Sequence, residues 1–64
     1  MSESEINLIL SEAINKPVVL FTLNNFVYNC KIVKVWGEWV QFYDLKKGFT
    51  KILKISEIKE VQLS

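Results

Sequence analysis

The sequence predicts a mostly β fold: an N-terminal α-helix followed by a five-stranded, strongly bent antiparallel open barrel. Three observations predict it. Apolar residues recur with a helical period before Pro17 and with a period of two after it, every break between apolar runs carries turn chemistry, and the alternation slips inside the longest run.

The helix is expected over about residues 5–14. Ser2 and Ser4 suit a capping position, and Ser2 with Glu5 has capping-box spacing. Ile6, Ile9, Leu10, Ala13 and Ile14 line one face, with Leu8 as the exception. Pro17 ends the segment, because the residue before a proline is pushed out of the α region. So short a helix is not stable alone, and its apolar face must lie on something.

Strands are expected at 18–23, 26–36, 39–45, 49–55 and 59–63, giving a barrel over about 17–63 of one domain spanning 1–64. Asn24-Asn25 suits a two-residue hairpin, since Asn tolerates positive φ, and Gly37 and Lys46-Lys47-Gly48 supply the next two turns. Residues 56–58 suit a single 3₁₀ turn. In the long second strand Phe26, Tyr28, Cys30 and Ile32 share a face that Val33, Val35 and Trp36 no longer respect, which predicts a bend or bulge. This element order is that of an SH3-like barrel. An OB-type barrel needs a longer chain and a helix between the third and fourth strands, for which Lys46-Lys47-Gly48 leaves no room.

Composition removes whole classes of chemistry. There is no histidine, and the one cysteine, Cys30, forms neither an internal disulfide nor a thiolate zinc site, so no enzyme, metal or cofactor is expected. Glu38, Asp44, Glu57 and Glu60 are scattered at strand ends and turns, where solvation is the expected role. The first fifteen residues carry Glu3, Glu5 and Glu12 and no lysine; the remainder carries eight lysines against four acids, a positive body suited to an anionic partner. The chain lacks the run of roughly 18 apolar residues that a membrane span needs, and its acidic start is unlike a secretory signal, so a cytoplasmic protein is expected. Half of the residues are apolar, more than a lone chain of this size is expected to hide.

The stretch from Pro17 to Val35, a proline-led strand running through Asn24-Asn25 into a long second strand, resembles the first motif of the Sm-like (LSm) family, especially its Hfq branch. The N-terminal helix, the strand lengths and the closing segment from Ile55 to Val61 are similar too. Asn25 and Cys30 stand where the family usually has glycine, Trp36 where an acidic residue is common, and Ile55-Ser56 where Hfq has a Lys-His pair. The resemblance implies RNA binding by a homo-oligomeric ring of roughly six or seven chains, closed by pairing the fourth strand of one chain with the fifth of the next. Phe49, Leu53, Ile55, Val61 and Leu63 give that closure a physical motive, since they would otherwise lie along exposed edges.

Two surfaces follow from the resemblance. On the pore face, Trp39 matches the base-stacking aromatic, Gln41 comes closest to the amide that reads base edges, and Lys54 takes the place of the basic residue, the expected partner being U-rich single-stranded RNA. On the opposite face, which reads A-rich RNA in Hfq, fall Phe21, Thr22, Asn25, Phe26 and Asn29, with Lys31 and Lys34 supplying charge near it. Each residue also has a plainer reading: Trp39 in the core or a subunit interface, Gln41 and Lys54 solvated, Phe21 and Phe26 pointing inward. Glu38 beside the pore would repel phosphate. With no arginine, RNA binding would be salt-sensitive and weakly sequence-selective. The rival expectation is an SH3-like protein-interaction module or small assembly subunit without nucleic-acid binding.

Overall fold

The computed structural model describes residues 2–64; Met1, where the expected domain begins, lies outside them. Helix α1 (Glu3–Glu12) precedes strands β1 (Pro17–Thr22), β2 (Val27–Trp36), β3 (Trp39–Asp44) and β4 (Thr50–Lys54), a 3₁₀ turn at Ile55–Glu57, and β5 (Ile58–Leu63). The strands form one antiparallel sheet in the order β4-β3-β2-β1-β5. It is the expected mostly β architecture, with β4 and β5 as its two edges.

The helix starts two residues earlier than expected because Ser2 is its cap: the Glu5 N–H donates to Ser2 Oγ at 3.3 Å, and Ser2 Oγ donates to the Glu5 carboxylate at 3.0 Å. It also stops two residues earlier. Ala13 tightens the last turn by donating to the Leu10 carbonyl at 3.1 Å, and Asn15 turns into the left-handed region at φ 67. Asn15 N–H then bonds the Ile32 carbonyl at 2.7 Å, so Ile14, expected on the apolar helix face, instead bridges to β2 and stays partly exposed. Ile6, Leu10 and Ala13 are buried, and fully burying the first two contributes about 1.5–3 kcal/mol each.

Asn24-Asn25 belongs to a three-residue loop, Leu23-Asn24-Asn25, rather than a two-residue hairpin. Asn25 takes φ 64, its N–H bonds the Thr22 carbonyl at 3.0 Å, and Thr22 and Phe26 close the loop through Thr22 N–H to the Phe26 carbonyl at 3.0 Å. Gly37, at φ 52, opens a two-residue turn that sets Trp36 opposite Trp39. The third turn is held by Asp44, whose Oδ1 accepts the N–H groups of Lys46 and Lys47 at 2.9 Å each. Asp44 is 3% exposed, so the expectation of a solvated carboxylate is wrong for it: the turn needs an acceptor inside, and this side chain supplies it.

The slip in β2 is a bulge. Ile32 faces Phe42 and Lys34 faces Gln41, leaving Val33 as the extra residue. Before it, Cys30 and Ile32 point into the barrel; after it Val35 does, and Lys34 and Trp36 turn outward. A second irregularity pairs Phe21 with Glu60 and Thr22 with Ile58, so Lys59 is skipped. Val18, Leu20, Cys30, Ile32, Val40 and Phe42 line the core from the sheet, closed by Ile55, Ile58 and Val61 and covered by the helix.

Cys30 sits opposite Asp44 with no exposed surface. Burial first, and the Asp44 carboxylate second, push its thiol from the ordinary 9.0 up to about 12. A folded-state pKa raised in this way favours the folded chain fully below pH 9 and progressively less as pH rises through the window from 9.0 to about 12. The expected result is no reaction with a thiol-specific disulfide reagent at pH 8 until denaturant unfolds the chain. The urea midpoint should fall between pH 8 and pH 10.5 by more in the native chain than in Cys30→Ala; equal falls in the two would refute the assignment.

Candidate nucleic-acid interface

The outward-facing side of β2, β3 and β4 near the Gly37 turn carries two rows of residues fixed by the register. One row is Trp36, Trp39 and Lys54; the next is Lys34, Gln41 and Ile52. The structure therefore brings the expected Trp39, Gln41 and Lys54 to a single face, with Lys54 directly across from Trp39. Trp36 and Trp39 are 37% and 39% exposed, so neither is a core residue. Lys34 Nζ lies 5.1 Å from the Trp36 ring and Lys54 Nζ 5.7 Å from the Trp39 ring, cation–π contacts of about 0.5–1 kcal/mol each at an exposed site.

The turn bearing the two tryptophans is anchored from two sides. The Ile55 N–H donates to the Glu38 carbonyl at 2.7 Å, tying it to the corner between β4 and β5, and the Asn7 side-chain amide donates to the Gly37 carbonyl at 3.4 Å. The base of the site is thus held by backbone bonds and the helix, while each ring keeps part of its surface open beside the lysine that lies over it. Lys34, expected to supply charge near the opposite face, lies on this one because the bulge at Val33 turns it to the side of Gln41, and Trp36 was not among the expected pore-face residues. The signal for Trp36 lay in the two-residue turn, which makes it the cross-strand partner of Trp39; its direction depended on the bulge at Val33.

The opposite-face set divides. Phe26 and Asn29 line a groove of about 670 Å³ at the open end of the barrel, together with Tyr28, Lys46, Lys47 and Lys51. Lys51 Nζ lies 5.0 Å from the Tyr28 ring and 5.7 Å from the Phe49 ring, and its ammonium donates to Tyr28 Oη at 3.5 Å. Phe26, 59% exposed, tilts against Tyr28 at 6.4 Å, contrary to an inward placement. Phe21 is half-buried on the outer side of β1, away from the groove lining. Thr22 is buried and its hydroxyl accepts the Phe26 N–H at 3.1 Å, a loop-closing role rather than a surface one. Asn25 is exposed in the loop, and its left-handed backbone makes it a turn-former first. Lys46, Lys47 and Lys51 were missed: the Leu45 N–H bonds the Asn29 carbonyl at 2.9 Å, which brings the turn to β2, and Lys51 shares the side of the bent sheet on which Phe42, its β3 partner, meets Tyr28.

Among the described residues no group of three or more His, Cys, Asp or Glu could hold a metal ion, and no helix is long and apolar enough to cross a membrane. No family model matches the chain, and neither a curated protein nor a solved structure is significantly similar to it.

Proposed function

We propose that this chain is a cytoplasmic, Sm-like RNA-binding protein that works as a homo-oligomeric ring, holds single-stranded segments and catalyses no covalent reaction. The observation that carries the reading is the outward-facing pairing of Trp36 and Trp39, each with a lysine ammonium over its ring. Exposed aromatic faces take bases by stacking, lysines take phosphates, and both serve single strands without demanding a sequence. The amide of Gln41 lies on the same face for base edges. Sheet order supports the ring, since β4 and β5 are both unpaired edges of one sheet.

The test is fluorescence titration with short oligouridylate and oligoadenylate at about 50 and about 200 mM salt. Affinity should fall steeply with salt, and Trp39→Ala should weaken it by roughly 5- to 150-fold per stacked base. Phe26→Ala and Phe21→Ala, made separately, report whether the barrel-end groove or the outer side of β1 also contributes. Affinity that ignores salt would argue against phosphate-driven binding, binding unchanged in all three variants would sink these site assignments, and no binding to either oligonucleotide would favour a protein-interaction module on the same fold.

A further inference from the structure

We infer that Trp36 with Lys34 is a second base-stacking unit beside Trp39 with Lys54, so that each chain holds two successive nucleotides rather than one. The inference rests on the RNA-binding reading above and specifies the occupancy of that surface. Trp36 and Trp39 are direct cross-strand partners on one face, which sets their Cβ atoms about 4.5–5.5 Å apart. Bases of adjoining nucleotides reach two neighbouring rings at such a spacing without a break in the backbone. The two rings are similarly open, and each has its own ammonium.

The lysines occupy opposite corners of the two-row grid. Lys54 ends the row Trp36, Trp39, Lys54, and Lys34 begins the row Lys34, Gln41, Ile52. A strand laid across the paired tryptophans has a cation at each end for its phosphates and the Gln41 amide beside the stacked bases. A tryptophan serving only to cover the turn would need no cation of its own. It would also gain stability from facing inward, where Val35 already sits.

The experiment is stoichiometric titration of the full chain with a long oligouridylate, read by tryptophan quenching. The native chain should saturate at about two nucleotides per chain and Trp36→Ala at about one, with quenching of Trp39 retained. Trp36→Phe, which keeps an aromatic face, should restore the native end point. Lys34→Gln should leave the end point alone and lower the slope of log affinity against log salt by about 0.7 for each phosphate it no longer neutralises. An end point near one in the native chain, or one unmoved by Trp36→Ala while Trp39→Ala abolishes binding, overturns the second unit and leaves the RNA-binding reading standing. A native chain that binds neither oligouridylate nor oligoadenylate overturns both.

Discussion

Replacing Phe42 with alanine is expected to leave the chain largely unfolded or close to it. Phe42 has no exposed surface and sits on the middle strand of the β2-β3-β4 region, opposite Ile32 and Lys51. Its ring packs on Tyr28 at 5.3 Å and 55°. Truncating a buried phenylalanine costs about 3–5 kcal/mol, because the lost transfer energy is joined by the cavity left behind. A 64-residue domain has about 3–10 kcal/mol in total. Phe42→Leu, which conserves most of the volume, should cost less than about 1.5 kcal/mol. Ile52→Ala, a change of the same kind at a side chain 51% exposed, should cost far less than Phe42→Ala. Urea unfolding followed by far-UV circular dichroism, at one fixed protein concentration, orders the three. A Phe42→Ala midpoint indistinguishable from native would mean that β3 runs in the other register, with its alternate residues inside.

That register was legible because it follows from alternation alone. Alternation puts Val40 and Phe42 on one face and Trp39 and Gln41 on the other whichever neighbours β3 has, and the structure turns the first pair inward, which removes the core reading of Trp39. Gly37, Gly48 and the pair Asn24-Asn25 announced positive φ; both glycines and Asn25 adopt it, and Asn24, in the longer loop, does not. The slip after Ile32 announced a bulge, and the extra residue is Val33. What alternation does not give is the side on which a chain emerges from a bulge. One extra residue flips every later side chain, so Trp36 read as core or surface depending on where the insertion fell. Asp44 was illegible for a different reason: its burial answers the backbone N–H groups of Lys46 and Lys47, and a lone carboxylate at a strand end carries no sign of which donors will need it. The barrel-end groove was missed likewise, since Phe26 and Lys51 meet only once the sheet has bent.

Ile52→Pro is expected to convert the proposed ring to monomers while leaving the fold intact. Asp44 N–H bonds the Phe49 carbonyl at 2.8 Å, which makes that opposite pair a hydrogen-bonded one. Alternation along an antiparallel ladder then turns the N–H groups of Lys51 and Leu53 toward β3 and those of Thr50, Ile52 and Lys54 toward the open edge. On β5 the Ser64 N–H bonds the Pro17 carbonyl at 3.3 Å, so by the same alternation Val61 and Leu63 turn their N–H groups outward. In the proposed ring these two free edges, both apolar at places such as Ile52 and Leu63, would pair head to tail from one chain to the next. Proline at 52 removes one outward N–H and puts a ring in the path of the incoming strand, at a position where an edge strand tolerates it. Leu53→Pro removes an inward N–H instead and should unfold β4. Light scattering should report the native chain as an oligomer and Ile52→Pro as a monomer with native far-UV dichroism. Because linked sites gain roughly 10²- to 10⁴-fold through multivalency, affinity for a long oligouridylate should fall by a comparable factor while that for a dinucleotide hardly changes. A native chain that is monomeric, or an Ile52→Pro variant that still assembles, would show that this edge does not close a ring.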